Sequence, residues 1–497
     1  MNFINNRTLH DFRYAGTVPS TSIFMESLMS KMTVGQVESG TGGALISGSR
    51  MIMISGVSID TRTLQPGNLF FAIRGPNNDG HDYIPAAFEK GAAGAVIDSR
   101  YSIPPGTAGD RIILRVEDTH QALKNLAAEV RRNWRGSLIA ITGSMGKTTA
   151  KEFAAQILQT EYSVYRSPGN YNNLFGLPLS LCDLGPDDHI GIFEMGMSAR
   201  GEIAEMCRIA QPNVGIITNV APVHLEFFSS IDEIALAKAE LAEGIVRGGT
   251  LIYNADSPFV RSIASRFAGE KISFGISQDA NIRAEELEIL SLEETRFRLL
   301  FDGVEYRAVI PLAGHHYVMN LLPAVALAIH YHIPMDQVIA GLGHLRQASM
   351  RGQIQHAGRG FTLIDDSYNS NPQALNQMIE ILSNVPGFDR KILVAGEMLE
   401  LGKEAPSLHR GCGAWAARCG VDLIVAVRGN AENIARGALS AGLPADRVRF
   451  FHDVQSAAEF LVHFLQAGDL VLVKASRGVR LDRLVSLISA GEAEQVH

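Results

Sequence analysis

The stretch SLIAITGSMGKTTAKEFAAQIL at 137–158 constrains the fold more than any other part of the chain. An apolar, β-rich run ends in the glycine loop GSMGKTT, and a segment with helical spacing follows it directly. In this order the unpaired N–H groups and the positive dipole end of the helix point at an anion. We therefore predict a phosphate-binding loop: backbone N–H groups from Ser144 to Thr148 hold a phosphate and Lys147 reaches the outer phosphates. The Thr148 hydroxyl would hold Mg²⁺.

This loop is shorter than the usual phosphate-binding pattern. In G-x-x-x-x-G-K-[ST] the first glycine would fall at position 141, where the chain has Ile141. An accidental Gly-Lys-Thr in an ordinary turn with an exposed lysine is therefore the alternative. Phosphate binding is the better interpretation because a buried strand precedes the loop and a helix follows it.

Composition is that of an ordinary globular protein. The 497 residues, 46% hydrophobic and 19% charged, are too many for one core, so we expect about three domains. The net charge of −8 gives no basic surface for nucleic acid, and no apolar run reaches the ~18 to 20 residues of a membrane helix. The four cysteines lack C-x-x-C or zinc-ligand spacing, which is typical of reduced thiols in a cytoplasmic protein.

The first 45 residues differ from the rest of the chain. Residues 1–45 are rich in Ser, Thr, Met and Asn, with little periodicity and no signal-peptide pattern. We expect a disordered or misannotated extension, and the possible start codons are Met1, Met25, Met29 and Met32.

The remaining sequence divides into three blocks, 46–133, 134–346 and 347–497. In the second block, strands such as IGIFEM and VGIITNV alternate with helical segments such as IDEIALAKAELAEGIV. The third block repeats this logic with FTLIDD, KILVAGEM, DLIVAV and DLVLVKA. The alternation predicts an α/β protein with mainly parallel sheets and helices on both faces.

Three polar side chains of the second block are candidates for chemistry. Glu194 closes an apolar strand, at the sheet edge where ligands of parallel sheets bind, and it could hold Mg²⁺ or be a solvated strand-end charge. His224 follows the next strand, and a lone histidine is more often structural. Lys238 lies in a helical segment, where lysine is more often exposed, but its helical neighbours Ile234 and Leu241 are apolar.

Two further segments have simple structural explanations. DDSYNSNPQAL at 365–375 follows a strand, and its Asn and Asp side chains suit a helix N-cap. Capping does not explain why two aspartates and a tyrosine meet at one strand end. GHHYVMN at 314–320 also opens a helix, so capping alone is an alternative explanation for its polar residues.

Nine motifs in order resemble the Mur ligase family of ATP-dependent amide-forming enzymes. They are GSMGKTT, NYNNLFGLP, EMGMSARGEI, NVAPVH, AKAE, GHHYVMN, MRG, DDSYNSNP and GEMLELG. The resemblance covers about residues 55 to 490. It implies an N-terminal α/β domain that binds a UDP-linked substrate, a central P-loop ATPase domain and a C-terminal Rossmann-like α/β domain.

The resemblance also implies roles for individual residues. Nucleotide contacts are implied for Gly143, Ser144, Met145, Gly146, Lys147, Thr148, Thr149, His316, Asn320 and Arg351. Catalytic roles are implied for Lys147, His224, Lys238 and Arg351. Substrate contacts are implied for Thr61, Arg62, His81, Asn172, Asn173, Asp365, Asp366, Tyr368, Asn369 and Asn371.

Two Mg²⁺ ions are implied, and their ligands would be Thr148, Glu194, His224 and Lys238, if Lys238 is carbamylated as in much of the family. Carbamylation would turn a cation into an oxygen ligand. The chain departs from the family pattern at Tyr317, where the adenine motif G-x-H-N-x-x-N has Asn, and at Ser370, where Ala is usual.

YNSNP, GEMLELG and KASRGVRLDRLV resemble the branch that joins D-alanyl-D-alanine to UDP-N-acetylmuramoyl-tripeptide through an acyl phosphate. Its product is a peptidoglycan precursor. The resemblance implies a cytoplasmic enzyme, expected to be a monomer, without nucleic acid partner or membrane insertion. Other amino-acid-adding Mur ligases, folylpolyglutamate synthase and a nucleotide-regulated scaffold protein are the alternatives.

Overall fold

Three large, mainly parallel sheets organise the protein. The computed structural model describes residues 32–104, 109–222, 226–277 and 279–490. Buried apolar clusters lie on both faces of each sheet, against the flanking helices. The predicted α/β class is confirmed.

The described part of the first domain contains β1 (Met32–Thr33), α1 (Val34–Thr41), β2 (Ala44–Ser47), β3 (Met53–Ile54), β4 (Gly56–Ser58), β5 (Asn68–Phe71), α2 (Ile84–Glu89), β6 (Gly94–Asp98), β7 (Ile112–Val116) and α3 (Thr119–Asn133). The main sheet has the order β2-β7-β6-β5-β4. Its β2–β7 pair is antiparallel, and the other pairs are parallel.

The prediction that residues 1–45 form an extension is wrong for 32–45. Helix α1 begins after Thr33, whose hydroxyl accepts a hydrogen bond from the Gln36 N–H, and Val34 and Val37 are fully buried. Eight residues are too few to show a clear helical period in the sequence, so packing against the domain core decides their structure. Residues 1–31 lie outside the described part of the chain.

The described part of the central domain contains β8 (Ser137–Thr142), α4 (Lys147–Leu158), β9 (Val164–Arg166), α5 (Gly176–Cys182), β10 (Ile190–Glu194), α6 (Glu202–Ala210), β11 (Val214–Ile217), α7 (Ile231–Gly244), β12 (Thr250–Asn254), α8 (Pro258–Arg266), β13 (Glu270–Gly275), β14 (Ile282–Ser291), β15 (Glu294–Phe301), β16 (Val304–Ile310), α9 (His315–His330) and α10 (Met335–Leu342). The sheet order is β16-β15-β14-β13-β12-β11-β8-β10-β9. Strands from β9 to β14 are parallel, and β14, β15 and β16 pair antiparallel. The adjacent strands β11, β8 and β10 therefore end at one edge of the sheet, where ligands of such folds bind.

The described part of the third domain contains β17 (Gln353–His356), β18 (Thr362–Asp366), α11 (Pro372–Asn384), β19 (Arg390–Gly396), α12 (Ala405–Arg418), β20 (Leu423–Val427), α13 (Glu432–Ser440), β21 (Val448–Phe451), α14 (Val454–Phe464), β22 (Asp469–Lys474) and α15 (Leu481–Ala490). The order is β17-β18-β22-β19-β20-β21, and β17 is antiparallel to β18. Strands β18 and β22 are parallel neighbours, so Asp366 and Lys474 end side by side.

The first domain packs on the central domain through α3, which contacts α5 and α6. The buried Arg131 donates to the Ala210 carbonyl at 2.7 Å, and Lys124 pairs with Glu205 at 2.7 Å. Among the described residues, no helix combines the length and the apolar character required to cross a membrane.

Candidate active site

The glycine loop after β8 is held against the end of β11. The Thr218 hydroxyl donates to the Met145 carbonyl at 2.6 Å, and the Met145 N–H donates to Oδ1 of Asn219 at 2.9 Å. Gly146 has φ +79°, and a Cβ there would lie 2.0 Å from Oδ1 of Asn320. Glycine is therefore required both by the backbone conformation and by the close approach of α9.

The first turn of α4 carries the predicted phosphate and metal groups. The Lys147 ammonium donates to the Gly143 carbonyl at 2.8 Å. The buried Glu194 accepts a 2.7 Å bond from the Thr148 hydroxyl and a 2.9 Å bond from Nδ2 of Asn172. Burial opposes ionisation of Glu194, but Lys147 and these donors outweigh it, so the pKa of the carboxyl is lowered and it stays charged.

Lys238 of α7 lies at the same cavity and is only 3% exposed. Burial, and then the nearby charge of Lys147, lower its pKa well below the usual value. No hydrogen bond of its side-chain nitrogen is found within the described residues. The predicted partner His224 lies outside the described residues.

The first turn of α9 borders the cavity next to the glycine loop. His316 and Asn320, for which the resemblance implies nucleotide contacts, line it. Burial lowers the pKa of His316 to about 3, so the ring is neutral. The ring of Tyr317 lies 4.0 Å from that of His316, centroid to centroid, and is buried.

The third domain closes the cavity with Arg351 and the β18–α11 loop. The guanidinium carbon of Arg351 lies 4.3 Å from the ring centroid of Tyr368. Asp366 accepts a 2.5 Å bond from the Lys474 ammonium, which also donates to the Asn369 carbonyl at 2.9 Å. Oδ1 of Asn371 caps α11 by accepting from the Ala374 N–H, so the capping explanation holds for this side chain.

Together these groups line a cavity of about 690 Å³. The predicted residues among its lining are Gly143, Ser144, Met145, Gly146, Lys147, Thr148, Thr149, Asn172, Asn173, Glu194, Lys238, His316, Asn320, Arg351, Asp366, Tyr368, Asn369 and Asn371. Asp365 does not line it: its carboxylate accepts from both the N–H and the hydroxyl of Ser367 inside the third domain. Another cavity, of about 730 Å³, lies between α7 and α8 and has no predicted residue among its described lining.

Three predicted residues of the first domain lie away from this cavity. Arg62 is exposed and pairs with Asp60, and Thr61 precedes it in the same turn. His81 is buried: its Nε2 accepts from the Asp98 N–H at 3.1 Å, and its Nδ1 lies 2.6 Å from Oδ1 of Asp79. Both ring nitrogens are thus used inside the domain, so His81 holds its loop in place.

A smaller cavity of about 180 Å³ lies between the first and central domains, beside Thr61 and Arg62. Asp60 and Thr63 line it from the first domain, and Pro168 and Tyr171 line it from the central domain.

Asn219 and Lys474 are among the lining residues that sequence reasoning misses. Asn219 follows β11 and braces the glycine loop, and Lys474 ends β22 beside Asp366. Both lie at the carboxyl ends of parallel strands, where ligands of such sheets bind, and this position in the sequence could have identified them.

Comparison with known proteins places this site in a family. The family model "Mur ligase middle domain" matches residues 141–328, "Mur ligase, glutamate ligase domain" matches 350–477, and "Mur ligase family, catalytic domain" matches 53–131. A UDP-N-acetylmuramoyl-tripeptide–D-alanyl-D-alanine ligase of Bacillus subtilis is 32% identical over 92% of this chain and 98% of its own length. The chain belongs to the Mur ligase family. The enzyme of the same name from Synechocystis is 34% identical to this Mur ligase over 89% of the chain and 93% of its own length.

Solved structures agree with the three-domain architecture of this Mur ligase. MurF from Acinetobacter baumannii superposes with a TM-score of 0.82 at 28% identity, covering 93% of this chain and 99% of that one. MurF from Thermotoga maritima in complex with ADP has a TM-score of 0.77 at 26% identity, over 89% and 98% of the two chains.

The site fits magnesium through few protein ligands. Among the described residues, no cluster of three or more His, Cys, Asp or Glu side chains could hold a metal. Mg²⁺ is commonly bound by one or two carboxylates together with substrate phosphates and water. The adjacent oxygens of Thr148 and Glu194, next to the phosphate loop of this Mur ligase, meet that requirement.

Proposed function

We propose that this Mur ligase joins D-alanyl-D-alanine to UDP-N-acetylmuramoyl-tripeptide at the expense of ATP, yielding the UDP-N-acetylmuramoyl-pentapeptide used for peptidoglycan. The observation that carries the proposal is the cavity of about 690 Å³ in which the glycine loop and the β18–α11 loop face each other. The names and full-length similarity of the relatives support the choice of substrates.

Each domain contributes one binding function in this proposal. Residues 46–133, together with the folded segment 32–45, bind the UDP-sugar part, and the cavity of about 180 Å³ is the candidate contact surface. Residues 134–346 bind ATP. Residues 347–497 bind the incoming D-alanyl-D-alanine through the loop that carries Asp366, Tyr368 and Asn369, and three domains meeting at one cavity exclude water.

The charges of the cavity suit a reaction between anions. The peptide carboxylate attacks the γ-phosphate of ATP, releasing ADP and forming an acyl phosphate; the amine of the dipeptide then attacks the acyl carbon and expels phosphate. The charge of Arg351 lies close enough to Lys147 to act on its ammonium, and both side chains would neutralise the approach of carboxylate to phosphate. Lys238 lines the same cavity as Lys147 and Arg351.

Magnesium, when bound, would neutralise further phosphate charge. Thr148 and Glu194 would hold the first ion. The second ion is proposed at Lys238, as its carbamate, and His224. We propose that the enzyme acts as a cytoplasmic monomer.

The test is an acceptor-dependent ADP-release assay with product mass spectrometry. The purified enzyme receives ATP, Mg²⁺ and UDP-tripeptide containing either meso-diaminopimelate or lysine, with D-alanyl-D-alanine present or omitted. We expect ADP release that requires both the UDP-tripeptide and the dipeptide. The product should be heavier than the UDP-tripeptide by the mass of D-alanyl-D-alanine minus one water. ADP release indifferent to the dipeptide would contradict the proposal, and single amino acids or folate acceptors test the related ligase activities. Lys147→Ala should abolish product, and retained product formation would refute the role of the loop.

A further inference from the structure

The first turn of α9 contacts the connector, residues 343–352, which leads from α10 of the central domain to β17 of the third domain. Tyr317 is 5% exposed, and its hydroxyl donates a hydrogen bond to the main-chain carbonyl of Arg351 at 3.1 Å. Burial raises the pKa of this phenol well above its usual value, so the group is protonated and acts as a donor. A central-domain side chain therefore fixes the backbone of a residue that reaches the cavity from the third domain.

The connector is held from both sides around this contact. On the central side, Gln156 of α4 donates to the Arg346 carbonyl at 2.9 Å and accepts from the Arg346 N–H at 2.8 Å. On the other side, the Gly352 N–H donates to the Asp365 carbonyl at 2.9 Å. Arg351 lies between these anchors, so its orientation depends on both domains.

The backbone turns sharply at the same place. Met350 has φ +58° and Gly352 has φ +81°, both in the left-handed region. A Cβ at position 352 would lie 2.0 Å from the Tyr317 hydroxyl oxygen. Glycine is required there by its conformation and by the approach of the phenol, so the turn is shaped around that hydroxyl.

The side chain of Arg351 extends from this turn into the wall of the active-site cavity. It lies over the ring of Tyr368, 4.3 Å from the centroid, and its charge acts on both Lys147 and Glu194. A fixed carbonyl and a stacked guanidinium leave the side chain little freedom. Displacement of the backbone by an ångström would move the charge away from the phosphates.

We propose that Tyr317 is a positioning residue that places the Arg351 guanidinium at the outer phosphates of ATP by fixing the Arg351 carbonyl. The inference rests on the proposed function. It assigns to Tyr317 a contact between domains rather than one with the adenine base.

Tyr317→Phe keeps the buried ring and removes the hydroxyl, and Tyr331→Phe is the matched control. Tyr331 follows the same helix, and its hydroxyl is bonded to Oγ of Ser137 at 2.7 Å, outside the lining of the active-site cavity. We expect Tyr317→Phe to lower kcat/KM for ATP about tenfold, the loss expected for one hydrogen bond that positions a charge. Tyr331→Phe should stay within about twofold.

Binding measured by calorimetry separates the two possible roles without relying on turnover. If Tyr317 acts through Arg351, Tyr317→Phe weakens a non-hydrolysable ATP analogue more than ADP or adenosine, and it adds no further loss to Arg351→Lys. The proposal would be overturned if Tyr317→Phe lowered the affinity for the ATP analogue, ADP and adenosine equally, because that would indicate a contact with the base. A changed preference between ATP and GTP would indicate the same. A Tyr317→Phe enzyme indistinguishable from Tyr331→Phe would also overturn the proposal.

Thermal unfolding establishes that each variant is folded. Gly352→Ala is a second test variant, because its added Cβ would displace the Tyr317 hydroxyl from the Arg351 carbonyl. A Gly352→Ala enzyme that binds the ATP analogue normally would also overturn the inference. If the wild type binds nucleotide but requires no dipeptide for ADP release, the proposed function fails while the Tyr317 result still decides the positioning role.

Discussion

The hydroxyl of Thr148 donates a 2.7 Å hydrogen bond to Oε2 of Glu194, across 46 positions of sequence. Asn172 donates to Oε1 of the same carboxylate at 2.9 Å. Three separate chain segments thus meet at one buried anion beside the phosphate loop. The arrangement keeps Glu194 ionised at the wall of the cavity, and carboxylate oxygens are ligands that a hard cation such as Mg²⁺ prefers.

Glu194→Gln should therefore lower kcat by about 10²- to 10³-fold, since it removes a charge that holds Mg²⁺ and offsets Lys147. The Mg²⁺ concentration for half-maximal ADP release should rise as well. Glu161→Gln is the control, because Glu161 is exposed and bonds Gln337 at the protein surface. Normal kcat with an unchanged Mg²⁺ requirement would show that Glu194 holds no metal.

Lys238 should carry a carbamate. Its lowered pKa supplies the neutral amine that attacks CO₂, forming the N–C bond with loss of a proton. We expect a carbamate signal by ¹³C NMR in bicarbonate-labelled enzyme, absent in Lys238→Ala and retained in Lys151→Met. Lys151 is also buried, but its ammonium donates to the Ser167 carbonyl at 2.6 Å. Failure of acetate or formate to restore any activity to Lys238→Ala would count against an oxygen-ligand role.

His81→Leu should reduce stability rather than remove a ligand contact. It leaves the buried Asp98 N–H without an acceptor, and we expect a loss of about 1–3 kcal/mol in the free energy of unfolding by urea. The exposed His344→Leu should change it by less than about 0.5 kcal/mol. A raised KM for the UDP-peptide at unchanged stability would instead indicate direct substrate contact.

Asp98 should make the first domain sensitive to acid. Burial opposes its ionisation, but Arg74 and the Arg100 N–H lower the pKa to about 2 from 3.8. A carboxyl whose pKa is lowered by folding stabilises the folded state at every pH above its pKa in the unfolded chain. This stabilisation is lost as the pH falls from about 4 to 2. We expect Asp98→Asn to cost about 2 kcal/mol at pH 6 and progressively less in urea unfolding at pH 4 and 3. A difference that does not shrink would contradict this.

Lys474→Met should destabilise the third domain by about 3 kcal/mol, because it leaves Asp366 largely buried without its cation. The double variant Lys474→Met with Asp366→Asn should recover part of that loss, since no unpaired charge remains. Urea unfolding of the two single variants and the double variant measures the coupling. Additive losses would show that the 2.5 Å pair contributes no interaction energy.

Local patterns were enough for the architecture and the phosphate loop. The alternation of apolar runs with helical segments predicts the parallel sheets, because both periods are properties of a short window. Strand, glycine turn and helix are contiguous at 137–158, so their geometry follows from adjacent residues. The helix at 34–41 was missed because eight residues with few apolar positions are stabilised mainly by packing.

The tertiary structure decided which polar side chains meet. The resemblance implies substrate contacts for Asn172 and His81. In the structure the Asn172 amide donates to Glu194 at the cavity, and both ring nitrogens of His81 are used inside its own domain. Tyr317 is marked in the sequence only as a departure from a motif, and the fold gives it the carbonyl of Arg351. The sequence by itself determined the strands and helices of the two larger blocks and the chemistry available at strand ends. Long-range packing decided the pairs, because hydrogen bonds between distant segments depend on how the sheets and domains are placed.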